Sequence, residues 1–259
     1  MSSKIEYLNF PGFSPETWNP FTGCQPDFEC WHRCWARKRA EYWLRGKSGY
    51  PADEPFRPTW HADKLLQPTR WQKPRCIDVC FMGDIALASP VQIQCVYAVM
   101  AACRRHLFVV CTKRPHTLRL KLLREWGCGH IRNVIHLTSV SMEMEMRRWR
   151  SLSEFWCDGW ECLGLSVEPL LGRISLPVGD GKPDWVIVGG ESGPGCRTME
   201  LEHARDVLAQ CRELGVPFFM KQLGGHPHKR SKLEDLPEDL RVREFPKLNE
   251  ELSDEQGTL

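Results

Sequence analysis

The sequence predicts a mixed α/β protein in which short parallel strands alternate with helices. Six apolar runs rich in Val, Ile and Phe are followed by Gly, Ser, Thr or Pro, as buried parallel strands are; they span residues 76–82, 106–112, 133–139, 161–167, 184–190 and 216–222. Amphipathic stretches between most of them predict helices at residues 91–105, 115–126, 142–154 and 202–214. Successive βα units of this length favour one parallel sheet or barrel.

A first strand at residues 17–23 would bring the total to seven and predicts a partial or complete (β/α) barrel, with an open doubly wound sheet as the alternative. We expect one folded domain over residues 1–232, with a Pro-, Trp- and charge-rich insertion or lid near residues 46–74. Residues 233–259 are acidic and polar, so we expect a loosely docked or partly disordered tail.

The composition excludes several classes of protein. The 259 residues carry 35 basic and 33 acidic side chains, for a net charge of +2, and 42% are hydrophobic, which is ordinary for a globular chain. The longest apolar stretch, residues 95–103, falls well short of the roughly 20 residues of a membrane-spanning helix. The first residues lack the apolar core of a secretory signal. We therefore expect a cytoplasmic protein with reduced thiols and no membrane partner.

Polar side chains follow each predicted strand, where ligands collect in both candidate architectures. These positions are Asp84, Thr112, Lys113, Arg114, Ser139, Ser141, Glu168, Glu191, Ser192 and Gln222. Lys113 and Arg114 directly precede Pro115, a residue suited to the first turn of a helix. This end of the strand therefore predicts a site for a phosphate or carboxylate.

The strongest motif is a group of three cysteines, Cys24, Cys30 and Cys34, within eleven residues before a basic helix predicted at residues 37–45. Three cysteines can ligate three irons of a [4Fe–4S] cluster and leave the fourth iron open. A zinc site that includes His32 is the alternative. Most of the other cysteines lie in apolar runs and are expected to be buried thiols, whereas a second metal site is left open for Cys128, Cys157 and Cys196.

Eleven tryptophans in 259 residues are several times the usual share. They either line a stacking surface or pack in the core. Basic groups at residues 104–105, 147–150 and 226–230 indicate either a nucleic-acid surface or ordinary solvated faces.

Several blocks of the chain resemble the phage-associated three-cysteine-motif proteins, a family classed as radical S-adenosylmethionine (SAM)-like and long described as a domain of unknown function. The matching blocks are residues 17–24, 34–36, 112–115, 166–172, 184–195 and 216–222. They occur in the same order and extend over nearly the whole folded part. The chain differs from the usual family pattern in having three residues, not two, between Cys30 and Cys34.

This resemblance implies a partial (β/α) barrel of the radical SAM type, with a [4Fe–4S] cluster held by Cys24, Cys30 and Cys34. It further implies that SAM binds the open iron and is cleaved to a radical that abstracts a substrate hydrogen. A one-electron donor such as flavodoxin or ferredoxin would then be a partner.

The resemblance also implies roles for the residues at the strand ends. The residues that it implies contact SAM are Trp35, Gly83, Asp84, Ser139, Ser141 and Glu168. The residues that it implies bind the substrate are Lys113, Arg114, Ser192 and Lys221. Those that it implies take part in catalysis are Glu168, Glu191 and Gln222. Each of these residues has a capping or packing role as its alternative.

The expected function is a radical SAM enzyme, such as a mutase, isomerase or base-modifying enzyme, that modifies or rearranges an anionic substrate. Family context favours a hypermodified pyrimidine base of phage DNA, flipped out of a duplex, with a small molecule as the other possibility. The main alternative is a non-catalytic nucleic-acid-binding protein stabilised by zinc or a cluster. A third is a nucleotide-binding hydrolase with Glu168 or Glu191 as general base, although the chain has no glycine-rich phosphate loop.

Overall fold

A computed structural model describes residues 5–26, 29–126, 131–153, 162–193, 195–225 and 230–248 of the chain. Cys128 and Cys157, two of the residues considered for a second metal site, lie outside these ranges, as do residues 226–229 and 249–259.

The core of the fold is a curled sheet of seven parallel strands that forms a half-barrel. In spatial order the strands are β1 (Ser14–Trp18), β4 (Arg75–Val79), β5 (Leu107–Thr112), β6 (Val134–Val140), β7 (Cys162–Val167), β8 (Trp185–Gly189) and β9 (Phe218–Gln222). Two short strands, β2 (Phe21–Thr22) and β3 (Thr59–Trp60), form a separate antiparallel pair. The mixed α/β class is therefore confirmed, and the curled sheet is compatible with a partial (β/α) barrel.

Helices fill most of the connections between strands. They are α1 (Trp35–Arg39), α2 (Pro90–Ala102), α3 (Pro115–Trp126), α4 (Arg147–Ser153) and α5 (Leu201–Leu214), and α1 continues as a π-helical turn, Ala40–Leu44. Helix α2 begins with a capping box between Ser89 and Gln92, while α5 ends at Gly215, whose φ of 63° suits a residue without a β-carbon. None of the helices in the described ranges is long and apolar enough to cross a membrane.

The two faces of the half-barrel are filled by different parts of the chain. Alternate strand residues such as Ile77 and Val110 lie on the outer face, where they pack with α2 and α3. The inner face is apolar at the amino ends of the strands, where Leu107 and Ile187 pack with Phe10. The next inward positions toward the carboxyl ends are polar, and this layer carries the candidate site.

The prediction for the first strand was wrong in its position, because β1 spans Ser14–Trp18 rather than residues 17–23. Among the described strands, β1 lies at the edge of the sheet and pairs with β4 alone, so it tolerates Pro15 and Glu16 in place of an apolar run. Glu16 is paired with Arg75 of β4 at 2.9 Å.

The segment after residue 232 is packed against the core as far as residue 248. Leu236 and Leu240 are buried, and the Phe245 ring lies 4.5 Å from that of Phe10. Val242 accepts a backbone hydrogen bond from Met220 of β9 at 2.8 Å. These contacts differ from the loose docking expected from composition, because a few spaced apolar residues are enough to hold a largely acidic segment on the core.

The insertion predicted near residues 46–74 packs beside the cysteine motif. Tyr50 and Phe56 form a small buried cluster with Ala36, Ala40 and Met82, against which Cys24 and Cys34 also pack.

Candidate functional site

The cysteine segment is attached to the end of β4 by two glycines. Gly23 and Gly83 form a parallel β-bridge, and Gly23 N–H donates to Met82 at 3.0 Å. A β-carbon on Gly83 would lie 2.6 Å from the Gly23 oxygen, and Gly23 has a φ of +90°. Glycine is therefore required on both sides of this contact, and Cys24 follows it directly at the carboxyl edge of the sheet.

Arg114 links Cys24 to the end of β5. Its Nη1 lies 3.0 Å from Asp84 Oδ2 and 3.6 Å from Cys24 Sγ. The Arg114 and Asp84 side chains are 8% and 7% exposed, so their ion pair is buried.

The Asp84 carboxylate caps the turn after it and holds the next strand end. Besides Arg114, it accepts hydrogen bonds from the Ala86 and Lys113 amides and from the Thr112 hydroxyl, the last at 2.7 Å. Both carboxylate oxygens are therefore occupied by protein groups. The contact with SAM predicted for Gly83 and Asp84 stays a prediction.

The three thiols of the motif are unpaired and half-buried. Burial raises the pKa of the Cys24 thiol, although the nearby Arg114 charge opposes this, and burial likewise raises the pKa of the Cys34 thiol. Within the described ranges, no three His, Cys, Asp or Glu side chains are grouped closely enough to hold a metal ion. The donor chemistry suits a cluster, but Cys24, Cys30 and Cys34 are not arranged as an assembled cage.

A second group of predicted residues meets at Ser139 on β6. Lys113 Nζ donates to the Ser139 hydroxyl at 3.0 Å, and this hydroxyl donates to the Glu168 carbonyl at 3.1 Å. Lys113 therefore has a neutral hydrogen-bond partner. Ser141, two residues further on, has its amide bonded to Glu145 at 2.7 Å and its carbonyl to Leu171, so its described contacts are structural.

The third group lies on the inner face of the half-barrel. Lys221 Nζ, on β9, is 2.7 Å from Glu168 Oε2 and 4.9 Å from the centre of the Tyr7 ring. Although burial opposes its charge, the Glu168 carboxylate raises the pKa of Lys221. The other oxygen, Glu168 Oε1, is buried with no hydrogen-bond partner, as is Gln222 Oε1.

Two residues of this inner layer were not predicted from the sequence. The Tyr7 hydroxyl donates to Asp78 Oδ2, and both side chains are buried. Burial raises the pKa of Asp78 to about 7, against the lowering effect of the Tyr7 hydrogen bond. The sequence contains one signal for this pair. Asp78 is the single acid in the apolar run 76–82, and an acid in a buried strand requires a hydrogen-bonding or charged partner.

The fourth group connects the cysteine segment to the end of β8. Glu191 accepts two side-chain hydrogen bonds from Arg197, at 3.1 and 2.8 Å, and one from its backbone amide. Burial raises the pKa of Glu191, but the hydrogen bonds from Arg197 outweigh it and hold that pKa below its ordinary value. Arg33, between Cys30 and Cys34, donates to the Gly195 carbonyl at 3.0 Å and lies 4.0 Å from Glu191.

The remaining predicted residues lie around these groups. The amide of Gln222 donates to the Gly190 carbonyl at 2.8 Å. Ser192 is half-buried after Glu191. Trp35 is 37% exposed and its ring packs on Phe81 at 4.7 Å, on the rim of the site rather than among the strand-end charges. The cysteine segment thus contacts the site through Arg114 on one side and through Arg33 on the other.

Comparison with known proteins gives a family without an assigned function. No curated protein and no solved structure matches the chain. The family model described as "Protein of unknown function (DUF5131)" matches residues 2–255. Because that match covers nearly the whole chain, the protein belongs to this uncharacterised family.

Proposed function

We propose that this chain is a radical SAM enzyme in which Cys24, Cys30 and Cys34 hold a [4Fe–4S] cluster at the carboxyl end of the half-barrel. The observation that carries the proposal is the position of Arg114, which contacts both Cys24 and Asp84. This contact places the start of the cysteine motif beside the strand ends at which the polar side chains collect. Ligands of parallel α/β folds bind at that edge.

The chemistry of the donor set supports a cluster. Three thiols on one segment, none in a disulfide, can supply three ligands and leave one iron open for SAM. The Arg114 guanidinium adds a positive charge and a hydrogen-bond donor beside Cys24, and both stabilise the negative charge of cluster sulfurs. When bound, the cluster and SAM supply the one-electron chemistry, with a flavodoxin or ferredoxin as reductant.

The surrounding side chains bind and orient the ligands. Lys113 is held by the neutral Ser139 hydroxyl, so its charge remains to attract an anionic group of the substrate. Arg114 and Lys221 are already paired with carboxylates. In this proposal Lys113 is therefore the principal anion-binding residue.

The acidic residues have different roles. Arg197 fixes Glu191 through both carboxylate oxygens, so Glu191 orients the segment after β8. Glu168 Oε1 and Gln222 Oε1 lack partners, and a buried acceptor without a partner costs about 1–3 kcal/mol. A donor group of SAM or substrate would remove that cost. A modified pyrimidine nucleotide, with its phosphate at Lys113, remains the proposed substrate.

The test is anaerobic iron–sulfur reconstitution followed by electron paramagnetic resonance of the reduced protein, with and without SAM. We expect a reduced-cluster signal that changes when SAM is added. The signal should be lost in Cys24→Ala, Cys30→Ala and Cys34→Ala. The control is Cys95→Ala, a half-buried thiol on α2 outside the motif, which should keep the signal.

Two other outcomes would reject the proposal. Tightly bound zinc without a cluster signal would favour the non-catalytic, zinc-stabilised nucleic-acid-binding protein. Nucleotide hydrolysis that survives replacement of all three motif cysteines would favour the hydrolase.

A further inference from the structure

The helix that follows Cys34 buries one face and exposes the other. Ala36 and Ala40, on the buried face, are 5% and 0% exposed. Beside this face lie Trp35, Arg39, Tyr42 and Trp43, all of them exposed, which we call the aromatic stripe. Their spacing of four, seven and eight residues from Trp35 places them along one side of the helical segment.

The two outer rings of the stripe project into solvent. Tyr42 and Trp43 are 77% and 73% exposed, whereas Trp18, Trp149 and Trp185 are at most 4% exposed. Packing therefore explains these three tryptophans but not Trp43. Large aromatic side chains grouped on a surface usually mark a binding site.

The stripe lies in a strongly basic part of the chain. Residues 31–48 contain six Lys and Arg and one Glu, a net charge of +5, so the rest of the chain has a net charge of −3. The one acid, Glu41, is paired with Arg37 at 2.7 Å. The surface around the stripe therefore attracts a polyanion.

The stripe also leads to the candidate site. At one end, the Trp35 ring packs on Phe81, two residues before Gly83. Because the α-helical rise of 1.5 Å per residue applies only as far as Arg39, where the π-helical turn begins, the stripe extends roughly 10 Å from there to Trp43. A polymer bound along the stripe would have one end at the mouth of the half-barrel.

From these observations we infer that the aromatic stripe binds single-stranded nucleic acid. Unpaired bases stack on projecting rings while cations contact the phosphates, in a way that tolerates sequence. Duplex bases are stacked on one another and do not offer their faces. An acidic protein would also match the charge, but its carboxylates have no aromatic faces to stack on Tyr42 and Trp43, whereas every base has one.

This inference names the class of macromolecule that would reach the site of the proposed function. Binding to the stripe requires no cluster. It is therefore tested on cluster-free protein, and its result is independent of the result for the proposed function. The probe is a fluorescein-labelled single-stranded oligothymidylate, followed by fluorescence anisotropy over a range of salt concentrations.

We expect saturable binding that weakens with salt. Trp43→Ala and Tyr42→Ala should each raise Kd roughly five- to 150-fold, the range measured for loss of one base–aromatic stack. Arg39→Gln should reduce the slope of log K against log salt by about 0.7, the value for one phosphate contact on a single strand. Controls of similar exposure are Met144→Ala, at 74% in the wild type, and Arg173→Gln, at 82%; both should bind as the wild type does.

Three results would overturn the inference. The first is no saturable binding at low salt. The second is binding that Trp43→Ala and Tyr42→Ala leave unchanged. The third is displacement by polyglutamate as readily as by unlabelled oligothymidylate, which would show attraction by charge without stacking and would favour an acidic protein partner.

Discussion

Arg114 and Asp84 form a buried ion pair, 3.0 Å between Nη1 and Oδ2, directly beside the thiol of Cys24. The pair joins the segment after β4 to the segment after β5, while its arginine reaches the cysteine motif. This ion pair therefore fixes the position of the cysteine segment relative to the ends of β4 and β5.

We therefore expect Arg114→Met to destabilise the protein by about 3 kcal/mol, because it leaves the Asp84 carboxylate buried without its cation. Arg114→Lys should recover part of the loss. Arg173→Met, which breaks an ion pair whose side chains are 82% and 47% exposed, should change the unfolding free energy by less than about 0.5 kcal/mol. Urea unfolding of the three variants measures these differences. Equal losses of unfolding free energy in Arg114→Met and Arg173→Met would show that the buried ion pair stabilises the protein no more than the exposed one does.

Asp78 should make stability fall as the pH rises. Its pKa is about 7 in the folded chain and near 4 when unfolded, so the folded state holds one more proton between these values. The stabilising effect of that proton is complete below pH 4 and is lost as the pH rises through 7.

The matched variant is Asp78→Asn, which keeps an acceptor for Tyr7 but cannot ionise. Relative to the wild type, it should gain stability from pH 4 to 7 by an amount of order 1 kcal/mol per pH unit. Thermal unfolding of both proteins across this range is the measurement. Parallel stability profiles for the two proteins would mean that Asp78 titrates normally.

Gly83→Ala should weaken the attachment of the cysteine segment. The new β-carbon would lie 2.6 Å from the backbone oxygen of Gly23, so the two segments would have to separate. We expect a loss of about 1–3 kcal/mol in urea unfolding, as for other overpacked sites. Gly181→Ala is the control, since no atom lies within 4 Å of its added β-carbon. A Gly83→Ala protein as stable as this control would contradict the close contact.

Leu240→Ala tests the docking of the segment after residue 232. Leu240 is fully buried, and truncating such a side chain costs about 2–5 kcal/mol through lost burial and a cavity. Leu233→Ala, at a site that is 39% exposed, should cost less than about 1 kcal/mol. Both are measured by chemical unfolding. Similar small effects at the two positions would indicate that this segment is not part of the cooperative core.

The central strands were predictable because both of their faces are buried. A strand covered on each side must be apolar at consecutive positions, and this gives the continuous runs at residues 106–112 and 184–190. The first strand lacked that signal because it lies at the edge, and its pairing with β4 is set by backbone hydrogen bonds and by Glu16 with Arg75.

The location of the candidate site followed from sequence order, but its internal partners did not. Residues directly after parallel strands must meet at one edge of the sheet, so Lys113, Glu168 and Glu191 were predictable as neighbours of that edge. The pairing of Glu168 with Lys221, and of Tyr7 with Asp78, joins residues 53 and 71 positions apart. Such contacts form because the curled sheet brings distant strands together, and the hydrophobic periodicity of a single segment cannot predict them.

The sequence by itself determined the α/β class, the number of βα units and the cysteine spacing, because these depend on local patterns of burial and residue type. Only the tertiary structure decided which cations are already neutralised, which tryptophans are buried, and that Trp43 remains in solvent. The reason is physical: charge balance and burial depend on distances between segments that are remote along the chain, and these distances exist only once the sheet has closed into a half-barrel.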